Sequence, residues 1–262
     1  MTAITTKQTH QPTEETYAEL QQAFDHFNRT LFDGQLPSCL ITLQREKTTV
    51  GYFSPSRFVS ADGQTTDELA LNPVYFATVP LIETMQTVVH EMAHVWQFHF
   101  GDAGRGRYHN KQFADKMESV GLMTSSTGQP GGARTGDRMA DYAIQGGRFL
   151  QACQELLTTN FRLSWYDRFP TEENIEAGQH LMAAQIHGHA GSTPPIAALP
   201  ALAQAIQPIT RSGSGRTDTP VPENRSNRVK YLCTGCAAPV AVWGKPKLKL
   251  ICGECMHEFR GV

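Results

Sequence analysis

Residues 81–100 read Leu81-Ile-Glu-Thr-Met-Gln-Thr-Val-Val-His90-Glu91-Met-Ala-His94-Val-Trp-Gln-Phe-His-Phe100, with Pro80 in front and Gly101 behind. Proline suits the first turn of a helix and glycine its end, so these boundaries predict one helix across the whole stretch. Met85, Val88, Met92, Val95 and Trp96 make an apolar side that can anchor in a core. His90 and His94 stand four residues apart on the other side, where they can hold one zinc ion together. Glu91 lies about 100° around the helix from His90. From there it can take a proton from a zinc-bound water without being a ligand, which is the chemistry of carbonyl hydrolysis.

A hydrolytic zinc needs a third protein ligand. The extended pattern HExxHxxGxxH would require glycine at 97 and histidine at 100, but the chain has Gln97 and Phe100. His99 lies about 140° around from His94, toward the apolar side, and reads as a packing or surface residue. His109 follows the Gly- and Arg-rich stretch GDAGRGRYHN, which lets the chain reverse, and opens the next predicted helix, Asn110–Val120. It is the preferred third ligand on the ground that three-histidine zinc sites are well established, with Glu118 as the alternative.

Outward from this helix, Thr13 reads as an N-cap ahead of Glu14 and Glu15, and Tyr17, Leu20, Phe24, Phe27 and Leu31 fall on one helical face. Short strands are predicted at Cys39–Arg45, Thr49–Phe53 and Glu68–Leu71, and helices at Asp137–Ile144, Gly147–Thr158 and 171–187. Cys39 and Cys153 read as buried packing residues. Arg134, Arg138 and Tyr142, after a Gly-rich loop, are weak candidates for stabilising an oxyanion or binding a substrate backbone. His180, His187 and His189 read as solvated. Residues 188–227 carry six prolines and four glycines and read as a linker.

The last thirty-odd residues are of a different kind. Cys233, Cys236, Cys252 and Cys255 form two CxxC pairs with 15 residues between them, enough for a short hairpin, Val240–Trp243 and Leu248–Ile251 around the turn GKPK. Four thiolates at this spacing make a structural zinc ribbon with no position left for chemistry. Residues 225–262 hold seven Lys and Arg against two Glu, a charge of +5; the remaining 16 basic and 23 acidic side chains leave residues 1–224 at −7. The whole-chain figure of −2 therefore conceals a basic tail on an acidic body. Arg228, Lys230, Lys245, Lys247 and Lys249, interleaved with Trp243, fit phosphate contacts plus base stacking, as on a single strand. No run of 18 apolar residues suggests a membrane span, and the N-terminus has no secretory pattern, so a cytoplasmic location is expected.

The segments AFDHFNRTLFDGQLP, HEMAHVWQ and YHNKQFADKM resemble the SprT-like zinc metalloprotease family, which includes the Spartan-type proteases of DNA–protein crosslinks. The resemblance covers most of residues 14–123, and the cysteine pairs are similar to the zinc ribbon of many bacterial members. It implies a zincin-like α+β fold, His90, His94 and His109 as zinc ligands, Glu91 as base, and Phe113 after the third histidine. It implies DNA repair as the setting and crosslinked proteins as substrates. The expected organisation is a disordered N-terminus at 1–12, a catalytic core at 13–123 and a helical extension packed on it at 124–187. The linker at 188–227 and the ribbon at 228–262 follow. A monomer is expected, with one catalytic and one structural zinc, a protein substrate, and single-stranded or junction DNA held by the ribbon, nucleoid-associated if the source is bacterial. The alternative is a non-catalytic DNA-binding or assembly factor in which both zincs are structural.

Overall fold

Helix α1, Pro12–Leu31, begins one residue before the Thr13 cap expected from the sequence. Pro12 occupies the first turn, where its missing N–H is no loss, and the Glu15 carboxylate accepts the Gln11 N–H at 3.0 Å. His10–Pro12 are therefore held, against the expectation of disorder through residue 12. Leu20, Phe24, Phe27 and Leu31 are buried as the periodicity predicts, while Tyr17 is exposed. The computed structural model describes residues 10–46, 49–106, 108–170, 176, 229–236 and 240–261. The chain divides into two compact units, Met1–Arg211 and Ser212–Val262. The expected helix at 171–187, apart from Glu176, the expected linker at 188–227, Arg228 and the three histidines at 180, 187 and 189 lie outside the described residues.

In the first unit a three-stranded sheet has the order β1-β3-β2, from β1 (Cys39–Leu43), β2 (Gly51–Val59) and β3 (Thr65–Leu71). β1 runs parallel to β3 and β2 antiparallel to it, which leaves β2 at the sheet edge. β2 outruns its predicted end at Phe53. The ladder crosses Pro55 on a bulge between Ser54 and Phe58, and the buried Asp67 carboxylate accepts the Ser56 N–H at 2.7 Å.

Ile41, Leu69 and Leu71 join α1 and α2 (Leu81–Phe100) in one core. Met85, Val88, Met92 and Val95 of α2 are all buried there, so the helix presents its histidines from a fixed base. A loop leads into α3 (Lys111–Val120), which Gly121 ends in the left-handed conformation, φ 95°. A Cβ at Gly121 would stand 2.6 Å from the Phe149 backbone nitrogen, so the turn tolerates no side chain.

Among the described residues, the first part of the region expected as a helical extension holds a hairpin followed by a helix. β4 (Leu122–Ser125) spans the expected boundary at 123 and pairs antiparallel with β5 (Ala140–Ala143), which replaces the helix predicted at Asp137–Ile144. Pairing with β4 satisfies the β5 backbone and overrides its weak helical spacing. α4 (Arg148–Thr158) then returns across α1, where Phe149 stacks on Phe27 with ring centroids 6.1 Å apart. No helix of the described residues is long and apolar enough to cross a membrane.

The second unit is a small sheet of order β7-β6-β8, built from β6 (Val229–Cys233), β7 (Val240–Gly244) and β8 (Arg260–Gly261). Leu248–Ile251 does not form the predicted strand; only Ile251 bridges, to Glu258, and the third strand comes from the C-terminal residues. Phe27 lies at the centre of the first unit's core and is fully buried. Phe27→Ala is expected to cost about 3–5 kcal/mol, read as a fall in the denaturant midpoint at unchanged slope.

Candidate metal centre

α2 carries His90 and His94 one turn apart, and the chain must reverse to bring a third donor to them. The chain reverses between Gly101 and Tyr108, and a polar network pins its described residues. Gln112 Oε1 accepts the Asp102 N–H at 2.6 Å, and Asn110 Nδ2 donates to the Asp102 carbonyl at 3.0 Å. Buried Gln97 donates to Asn110 Oδ1 at 2.7 Å, and the same oxygen caps α3 by accepting the Phe113 N–H at 3.0 Å. His109, one residue before the cap, is thereby set against α2. Its backbone pairs with Gly136 in both directions, at 2.8 and 3.1 Å.

The three imidazoles converge. His109 Nε2 lies 3.1 Å from His90 Nε2 and 3.2 Å from His94 Nε2. Phe113 packs on all three, with centroid distances of 4.3 Å to His94, 4.8 Å to His109 and 5.0 Å to His90. Gln97 thus takes no part as a ligand, and His99, on the far side of α2, meets Asp67 at 2.6 Å. Glu118, the alternative third ligand, is instead half exposed and 2.6 Å from Arg134. Arg134 is committed to that pair, and neither Arg138 nor Tyr142 lines the cleft at the histidines.

The donor set fits a zinc ion on the chemistry of its nitrogens. His90 Nδ1 lies 2.6 Å from the Asp141 carboxylate and His109 Nδ1 lies 3.1 Å from the Gly136 carbonyl. Acceptors there assign the Nδ1 protons and turn both Nε2 lone pairs toward each other. Lone pairs at such distances repel unless a positive charge sits between them. A tetrahedral zinc with nitrogen ligands at ~2.0–2.1 Å holds them about 3.3–3.4 Å apart, close to the spacing found. Without a metal the charge is a proton. Burial disfavours it, but the Asp141 carboxylate outweighs burial and holds His90 up at about 9. His94 is pushed well below the usual histidine range by burial and by its two neighbouring imidazoles, and His109 is lowered for similar reasons.

Glu91 is buried beside this cluster and has a backbone partner, the Phe53 N–H of β2. Burial raises its carboxyl to about 7; His90 pulls it down, Asp141 pushes it up and the Phe53 contact lowers it. Strand and helix approach closely here, since a Cβ on Gly51 would lie 2.9 Å from Thr87 and 3.4 Å from Glu91. A cleft of about 580 Å³ opens over the centre, walled by Gly51–Pro55 of the edge strand, by Phe98 and Tyr108, and by His90, Glu91, His94 and His109. Asp141 is the member that sequence reading missed. It sits 51 positions from His90 in a strand read as helix, and no local pattern connects the two.

In the second unit the four cysteines also converge, with Sγ–Sγ distances of 3.3 Å (Cys233–Cys255), 3.4 Å (Cys236–Cys255), 3.5 Å (Cys236–Cys252) and 3.8 Å (Cys233–Cys236). Four thiolates about a zinc with bonds near ~2.3 Å lie roughly 3.8 Å apart, so this set also suits the ion. Lys230 and Trp243 are register partners across β6 and β7, and Arg260 pairs with Leu232. By strand alternation Lys230, Leu232, Trp243 and Arg260 share one face, opposite buried Tyr231. Trp243 is 65% exposed. Lys245, Lys247 and Lys249 lie in the segment after β7, which the Tyr231 hydroxyl holds by donating to the Lys245 carbonyl and accepting the Leu248 N–H.

Mixed helix and sheet, with two histidines and a buried glutamate on one helix and a third histidine brought to them from the loop before α3, make a candidate metal centre of the kind found in metallopeptidase-type domains. The sequence profile of the SprT-like family matches residues 20–131, and the chain belongs to that family. It is also 61% identical over 59 residues to a Salmonella typhimurium protein described as "Uncharacterized protein in mucB 3'region". That alignment takes in 22% of this chain and 80% of the relative. No solved structure matches the chain.

The proton on His90 and a zinc ion compete for one position. In zinc-free protein the His90 ring should titrate only near pH 9, and zinc should abolish that titration, as followed by ring-proton NMR. Between pH 7 and 9 zinc displaces one proton, so its affinity for the histidines should rise about tenfold per pH unit. A His90 titration near pH 6.5 in the zinc-free protein would contradict the coupling to Asp141.

Proposed function

We propose that this protein is a zinc-dependent endopeptidase of zincin-like fold that acts on proteins bound or crosslinked to DNA. The observation that carries the reading is the position of Glu91, buried next to the histidine cluster, held by the Phe53 N–H and open to the cleft. Among the described residues the cluster comprises three side chains, the donor number of catalytic rather than closed structural zinc sites.

His90, His94 and His109 would hold the ion, which when bound supplies a Lewis acid for the scissile carbonyl and acidifies water. Glu91 takes the proton of the attacking water and returns it to the departing amine nitrogen. Its carboxyl near pH 7 suits both halves of that exchange. Phe53 fixes the carboxylate from β2, while the unpaired edge of the same strand offers N–H and C=O groups to an extended substrate backbone. Phe98 and Tyr108 give the cleft aromatic surface.

The DNA part rests on the family resemblance and on the face of the cysteine module. Trp243 is an exposed stacking surface with Lys230 opposite it and Arg260 on the same face; Lys245, Lys247 and Lys249 add charge nearby. Such a combination suits a single strand, with bases on the indole and phosphates on the cations. Holding DNA would concentrate a protein attached to that DNA near the cleft without a selective peptide pocket.

Glu91→Gln should retain zinc and lower cleavage of a DNA-bound protein at least 100-fold. Parental activity rises with pH as Glu91 loses its proton, and a neighbouring cation brings that limb to or below pH 7. Undiminished cleavage by the glutamine variant would remove Glu91 as the base. For the module, Trp243→Ala should weaken single-stranded DNA by about 1–3 kcal/mol, while Lys230→Ala should flatten the salt dependence. Unchanged affinity in both, by fluorescence anisotropy at two salt concentrations, would exclude this face.

A further inference from the structure

Asp141 lies beyond residue 131, where the match to the SprT-like family stops, yet it grips the central helix at two points. Its backbone carbonyl accepts from Gln86 Nε2 at 2.8 Å, and its carboxylate Oδ2 meets His90 Nδ1 at 2.6 Å. Gln86 and His90 are one turn apart on α2. The residue is itself fixed from behind, because Asp141 is the register partner of fully buried Thr124 in the β4–β5 hairpin.

The carboxylate is an expensive group to keep. Its side chain is 7% exposed, and Oδ1 is buried with no hydrogen-bond partner among the described residues. A desolvated oxygen left unpaired costs stability unless its charge is used elsewhere. The charge here is directed at the outer nitrogen of one imidazole in the cluster. The connection between β4 and β5 also holds His109, through the Gly136 carbonyl on Nδ1 and the two backbone hydrogen bonds. Two of the three rings are thus held from outside the helices that carry the histidine motif.

We infer that Asp141 is a positioning residue of the His90/His94/His109 centre. Its carboxylate fixes the His90 ring through Nδ1, so that the β4–β5 hairpin, and not the helix alone, sets how tightly the centre holds zinc. The inference rests on reading the histidines as a zinc centre and is independent of proteolysis. Carboxylate partners of this kind are known to orient ligating histidines and raise their basicity.

The test uses the full chain with Asp141→Ala and Asp141→Asn. Zinc affinity is measured by competition with a chromophoric chelator, and the four-cysteine cluster serves as a reference within the same molecule. Asp141→Ala should weaken the histidine centre about 10- to 100-fold and leave the cysteine cluster at its parental affinity. Asp141→Asn, whose side-chain oxygen still accepts from Nδ1, should fold as the parent does and recover part of the loss. Circular dichroism and melting of the zinc-free proteins separate this from a merely structural role, which would lower the melting temperature and leave zinc affinity unmoved. Parental affinity in Asp141→Ala, or a loss shared equally by both clusters, overturns the inference. Failure of the parent to bind zinc at the histidines overturns the zinc reading and this inference with it. Loss of zinc affinity alongside full activity in Glu91→Gln leaves the inference standing and removes the proposed protease mechanism.

Discussion

Mutual repulsion among three inward-facing imidazole nitrogens is the constraint around which the first unit is arranged. Neither His90 nor His109 can turn its ring over to relieve it, because each outer nitrogen is tied to an acceptor. Phe113 packs on all three rings. The loop cannot back away, because Gln97, Asn110 and Gln112 tie it to α2 and α3. Such an arrangement persists only with a cation at its middle, and proton and metal are alternatives there. The apolar side of α2, the cap of α3 and the β4–β5 hairpin all serve to hold nitrogens where they would not gather unaided.

The parts of this arrangement that were legible in the sequence are those built on local periodicity. His90, His94 and the buried side of α2 follow from a 3.6-residue repeat, and the four cysteines from two tight turns. His109 required one more step, a Gly-rich reversal followed by a helix start. Asp141 was out of reach because its role depends on strand pairing with β4, a non-local contact that its own neighbours do not encode. Asp137–Ile144 reads as helix from its own residues, and the strand expected at Thr49–Phe53 ends short of Val59 because a bulge stabilised by Asp67, at a distance in sequence, is invisible to local pattern. In each case tertiary pairing prevailed over local propensity.

Charge behaves in the same divided way. A net figure of −2 describes neither an acidic body nor a basic tail. In the second unit the sheet separates its two jobs by face. Tyr231 and Cys233 turn inward, where the tyrosine hydroxyl organises the turn and the thiol joins the cluster, and Lys230, Trp243 and Arg260 turn outward. A module this small has little apolar interior, so an ion held by its four thiolates would supply stability that packing does not.

The bulge in β2 has a consequence for what the cleft can hold. Only Gly51–Ser54 precede it in regular pairing with β3, and the ladder resumes at Phe58, with Pro55 and left-handed Ser56 (φ 47°) between. Four residues of straight strand give about 13 Å of usable backbone at ~3.3 Å each. Under the proposed function, an edge that short would pair with a substrate backbone over only a few residues.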